Sequence, residues 1–116
     1  MLVLSHFSRS MLSDRRLAAE LVQITADEAH DLLAKQQEVK AVMPNRFLAN
    51  RVAQELNVDV QYVGPQFVQI DEGQVVLVVE TPVVDKVQHT EYIRVTVKGN
   101  RSLWDRLKLT NLRLAA

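Results

Sequence analysis

Two short polar turns carry most of the chemistry that this chain can offer. The first is Ser5-His6-Phe7-Ser8-Arg9-Ser10, which follows the apolar Met1-Leu2-Val3-Leu4 and gives way to Met11-Leu12. Its serines are small hydrogen-bonding groups that let a ligand approach the backbone closely. Arg9 adds a planar fork of charge-assisted donors suited to phosphate. The second is Met43-Pro44-Asn45-Arg46, set at the start of a helical pattern. A helix start exposes unpaired N–H groups and the positive end of the macrodipole, so Asn45 and Arg46 occupy a natural anion position. The same residues have a plain structural use, because serines end strands and cap helices and Pro-Asn is a common turn. The candidate ligand contacts are therefore Ser5, Ser8, Arg9, Ser10, Met43, Pro44, Asn45 and Arg46.

Groups able to move a proton are few. The histidines are His6, His30 and His89. His30 falls beside Asp27 and Asp31 in a helical stretch and is expected on its solvated side, and His89 is expected in an exposed loop. His6 projects from the segment that ends in the first turn, where a structural role and a ligand contact are both open. No H-E-x-x-H, G-x-S-x-G or phosphate-loop lysine pattern is present. Cysteine is absent, which excludes disulfides, thiolate catalysis and Cys-based zinc sites. Neither a metal nor a cofactor is expected.

The elements that must position these turns read as an α+β arrangement of about five strands and two main helices in a single domain spanning 1–116. Residues 2–7 read as a buried strand whose C-terminal end delivers the first turn, the place where ligands commonly sit in sheets with helices. Residues 17–24 suit a second strand, with a helix from Asp14 as the alternative. Thr25-Ala26-Asp27-Glu28 is a capping box, opening a helix to about Gln36. Residues 39–43 are short and apolar, and Pro44 suits the opening turn of a second helix. Leu48, Val52 and Leu56 share one face of that helix, and Asn57 suits a left-handed cap. Gln66–Ile70 and Gln74–Glu80 are expected to flank Asp71-Glu72-Gly73 as a hairpin. Tyr92–Lys98 alternates as a strand. Ser102 and Asp105 suit one capped turn, and Leu107, Leu109, Leu112 and Leu114 a last strand.

Composition sets bounds on function. The 116 residues are 47% hydrophobic and 24% charged, as in ordinary globular domains. Fourteen basic residues balance fourteen acidic ones, so the overall field argues neither for nor against nucleic acid. The short apolar start lacks a basic region and a cleavage site, and no run approaches the ~18–20 apolar residues of a membrane span. The expectation is a cytoplasmic protein without a membrane partner. Two helices are too few to cover both faces of the expected sheet, which predicts burial of part of it by a second subunit.

The order of these motifs resembles the small archaeal-virus ring nucleases, the type III anti-CRISPR family whose members bind and cleave cyclic tetra-adenylate. In that family an N-terminal strand ends in a motif close to L-x-N-A-F-S-x-x-M-L. Within Leu4-Ser5-His6-Phe7-Ser8-Arg9-Ser10-Met11-Leu12 the F-S-x-x-M-L part of that motif is kept at its spacing, as Phe7, Ser8, Met11 and Leu12. Residues 41–58 fit, without a gap, a segment like S-A-I-G-H-E-x-T-A-x-L-L-x-x-L-L-G-V, and Asp71-Glu72-Gly73 matches an acidic-Gly turn. The resemblance covers residues 2–80. It implies a homodimer with a two-fold-symmetric ligand on the dimer axis, in the host cell's cytoplasm if the chain is viral.

The departures bear on activity. The family's general-acid histidine falls on Asn45, whose amide has no proton to give, and the preceding glycine falls on Pro44. The family's arginine and glutamate beyond the central hairpin have no counterparts in Thr81-Pro82-Val83-Val84. General acid catalysis contributes about 100- to 10,000-fold, so its loss implies a slow enzyme or a binder. The resulting expectation is sequestration of a cyclic oligonucleotide or another phosphate-rich defence signal, with no duplex nucleic acid as partner. Two alternatives remain open: a nuclease in which His6 replaces the acid, and an interaction module acting through a sheet edge or the Leu-rich C-terminus.

Overall fold

Strands β1 (Leu2–Leu4) and β5 (Gly73–Glu80) are apolar on both faces, and that forces them to the middle of the sheet. Val3, Leu4 and the run Val75-Val76-Leu77-Val78 are all buried. The computed structural model describes residues 1–81 and 90–99. Its other strands are β2 (Leu17–Ile24), β3 (Lys40–Val42), β4 (Gln61–Tyr62) and β6 (Thr90–Gly99). Helices α1 (Ala26–Ala34) and α2 (Arg46–Leu56) complete the regular structure, with one 3-10 turn at Arg9–Met11. The spatial order is β2-β6-β5-β1-β3-β4. β1 runs parallel to both β3 and β5, whereas β5-β6 and β6-β2 are antiparallel. The fold is α+β with a mixed six-stranded sheet.

Alternation along the strands divides the core in two. Val3, Ala41, Val76, Val78, Tyr92 and Ile24 point to the face covered by α1 and α2, where they meet Ala29, Leu33, Leu48, Val52 and Leu56. Leu4, Leu17, Val42, Val75, Leu77, Val95 and Val97 point to the other face. No described helix covers that second face. Phe7, Met11, Leu12, Val68 and Ile70 pack on it from loops. Loops thus do part of the covering that was assigned above to a second subunit, which leaves a smaller share for any partner.

Local signals set the helix ends. The Thr25 hydroxyl accepts from Glu28 N at 3.1 Å, and Glu28 Oε1 accepts from Thr25 N at 3.2 Å. That is the expected capping box. α1 stops at Ala34 rather than Gln36. Asn57 takes φ 52° and ψ 52°, and Val58 N donates to Ala53 O at 3.2 Å, so a left-handed residue closes α2.

Four expectations are corrected. β1 ends at Leu4 rather than at residue 7, because the chain leaves the sheet at Ser5 to form the first turn. The helix alternative from Asp14 fails because Leu17–Ile24 pairs along its whole length with β6, a tertiary constraint that overrides local propensity. Gln66–Ile70 is not a strand of the sheet and Asp71-Glu72-Gly73 joins no hairpin; β5 makes its hairpin with β6. Only Ile70 bridges, in parallel, to Leu12, with Ile70 N donating to Met11 O at 2.7 Å and Ser13 N to Ile70 O at 3.0 Å. His30 is half-buried rather than solvated. Its Nδ1 lies 2.6 Å from Leu56 O, so the Nδ1–H tautomer donates to a carbonyl that the end of α2 leaves unpaired. His89, the turn at Ser102–Asp105 and the strand around Leu107–Leu114 lie outside the described residues. Short β4 was not anticipated.

The capping and clasp contacts predict measurable losses. Thr25→Ala should destabilise by about 0.5–2 kcal/mol. His30→Ala, which frees the Leu56 carbonyl, should lower stability by about 0.5–1.5 kcal/mol. Both should appear as a lower urea midpoint at unchanged slope, and a silent His30→Ala would show that the clasp contributes nothing.

Candidate functional site

A cavity of about 300 Å³ opens where β1 and β3 end. Leu4 and Val42, the paired last residues of these parallel strands, form its apolar floor with Met11 and Met43. Ser5, His6, Ser8 and Ser10 come from the first turn, and Pro44 from the second. Pro65, Gln66, Phe67 and Val68 close the third side. The cavity therefore lies outside the carboxyl ends of parallel strands, flanked by the crossover that carries the chain from β1 through β2 and α1 to β3.

The polar groups of the lining are neutral hydrogen-bonding groups, with one titratable side chain among them. Ser8 Oγ and Ser10 Oγ are 2.8 Å apart, so one hydroxyl donates to the other and the pair presents adjoining oxygens. Ser8 N lies 3.3 Å from Met11 Sδ, and Met11 N donates to Ser8 O at 3.0 Å, which curls the turn over the buried Met11. His6 is exposed and is the titratable side chain among the described residues of the lining. Among the described residues no Asp, Glu, Lys or Arg side chain lines the cavity. Among the described residues no three His, Asp or Glu side chains converge as a metal site.

The candidate residues divide. Ser5, Ser8, Ser10, Met43 and Pro44, with His6, come together around the cavity, whereas Arg9, Asn45 and Arg46 are not part of its lining. Asn45 is the N-cap of α2: its Oδ1 accepts from Leu48 N at 2.8 Å. Pro44 consequently sits one residue before the cap rather than inside the helix. The Arg46 guanidinium lies over the Tyr62 ring, 5.4 Å from its centroid, a cation–π contact that holds it toward β4. Arg9 is exposed on the 3-10 turn.

Sequence reasoning missed the third wall. The expected strand Gln66–Ile70 covers three of its four residues, Gln66, Phe67 and Val68. The signal against that reading was Gly64-Pro65 itself, a pair that favours a turn. Gly64 is buried and adopts φ 89°, a left-handed backbone in which a side chain is strained.

No family model matches the chain, and no curated protein matches it in sequence. A comparison of folds does find a solved structure: B116 of Sulfolobus turreted icosahedral virus (STIV). The match has a TM-score of 0.63 and spans 82% of this chain and 97% of that one. The fold is that of an archaeal-virus protein. At 11% sequence identity the likeness to B116 is one of fold. No described helix is long and apolar enough to cross a membrane.

The capping role of Asn45 makes it a costly position to change. Asn45→His removes the acceptor for Leu48 N and should destabilise by about 0.5–2 kcal/mol, whereas Asn45→Asp should retain the cap. Thermal melts of the two variants beside the parent chain check this, and equal losses for both would refute it.

Proposed function

We propose that the chain binds and sequesters a cyclic oligonucleotide or a related phosphate-rich defence signal, as a viral or phage counter-defence protein with little or no cleavage activity. One observation carries this reading: two turns far apart in sequence supply hydroxyl, imidazole and apolar groups to one cavity at the ends of β1 and β3. Fold likeness to a viral protein and the motif resemblance to ring nucleases support the same context. Slow or absent cleavage follows from Asn45, an amide at the family's acid position whose oxygen is already engaged in capping α2.

Cavity size bears on how a ring would bind. Ligand cavities run from about 300 to 1,000 Å³, so this one sits at the lower limit and suits one nucleotide-sized portion. A cyclic tetranucleotide would extend past the mouth, and a second copy of the chain would receive the rest across a two-fold axis. A second reading is an active ring nuclease with His6 as general acid, favoured by His6 being the titratable group of the lining.

Titration calorimetry with cyclic tetra-adenylate tests the reading. The parent chain should bind without consuming the ring over hours, and light scattering at micromolar concentration should give a dimer. Ser8→Ala and Ser10→Ala should each weaken binding by about 0.5–1.5 kcal/mol, the worth of a neutral hydrogen bond. Absence of binding would remove the proposal. Fast cleavage abolished by His6→Ala would replace it with the nuclease reading.

A further inference from the structure

We propose that Phe67 is a stacking platform for a nucleobase at the mouth of the cavity, with Gln66 meeting the base edge, so that the site takes a base-bearing nucleotide rather than a bare phosphate or sugar phosphate. The proposal rests on the nucleotide reading above and assigns the part of the ligand that Phe67 contacts. Phe67 is 72% exposed even though it lines the cavity. A phenyl face left in water beside a concave site is available to a flat partner, and stacking tolerates any base because every base has a π-face.

The segment carrying Phe67 is anchored on both sides. Val63 N donates to Ala41 O at 3.0 Å, which ties its start to β3, and Ile70 N donates to Met11 O at 2.7 Å, which ties its end to the first turn. The ring is therefore presented from a tethered strap. The Ser8 and Ser10 hydroxyls, 2.8 Å apart, line the same cavity. The lining therefore joins an aromatic ring to a hydroxyl pair, a combination that matches a ligand with a flat base and a polar ribose phosphate. Gln66 adds both a donor and an acceptor, the pair of functions that a base edge requires. Phe47 is also exposed, at 81%, but does not line the cavity and serves as a control.

The test compares adenosine monophosphate, ribose 5-phosphate and cyclic tetra-adenylate on the parent chain and on Phe67→Ala, Phe67→Leu, Phe67→Trp and Phe47→Ala. Binding is followed by amide chemical shifts for the two monomers and by calorimetry for the ring. Phe67→Ala and Phe67→Leu should weaken both adenine-bearing probes by about 5- to 140-fold, since stacking one base is worth about 1–3 kcal/mol. Phe67→Trp should hold or improve affinity. Phe47→Ala should match the parent, and ribose 5-phosphate should bind all variants alike. If the parent binds the ring and Phe67→Leu binds it equally well, the platform is refuted while the cavity reading stands. A Phe67→Ala variant with unchanged affinity and an altered sedimentation coefficient would make Phe67 a contact between copies and overturn the proposal. If the parent binds none of the three probes, the cavity reading falls and the platform with it.

Discussion

Parallel pairing of β1 between β3 and β5 is the constraint on which the rest of this structure depends. Three residues, Leu2–Leu4, must find partners on both edges and apolar cover on both faces. Val3 is covered by the helices, and Leu4 belongs to the loop-covered cluster. A strand so short cannot be held by its own ladder alone; its burial against neighbours keeps it in place. Because the adjacent β3 ends level with it, at Leu4 opposite Val42, their two following turns leave the sheet side by side. The cavity is what remains between them.

Much of this arrangement was legible in the residues. Alternation and capping are local signals, and they located both helices, the left-handed Asn57 and the strands at Leu17–Ile24 and Thr90–Gly99 within a few residues. The two polar turns were singled out by their chemistry, and six of their residues line one cavity, while Arg9, Asn45 and Arg46 do not. The errors share a cause. Gln66–Ile70 has the alternation of a strand, yet its single bridge is to the loop residue Leu12. His30 has the neighbours of a surface residue, yet it reaches a carbonyl of α2. In each case the deciding partner is distant in sequence; the Gly64-Pro65 pair argues against a strand, but no local pattern names the partner.

Asn45 illustrates how one position can serve structure and limit chemistry. An N-cap must offer an acceptor to the first turn of its helix, and asparagine does this well. A general acid must instead hold a proton where a leaving group departs. Asn45 meets the first requirement through Leu48 N, and it is outside the cavity lining. An imidazole placed at position 45 would therefore lose the cap and stand outside the cavity lining. Arg46 is likewise engaged elsewhere, over Tyr62.

The bonds between Ile70 and the Met11–Ser13 stretch also couple motion to occupancy. They link the backbone of the first turn to that of the strap, and residues of both segments line the cavity. Parting these bonds would free the two segments from one another. A ligand of the kind proposed above, touching both, would favour the bonded state and suppress its opening by mass action. Amide hydrogens of Met11, Ser13 and Ile70 then become reporters of the site: their exchange with solvent slows as the cavity fills, even though none of these amides needs to touch what fills it.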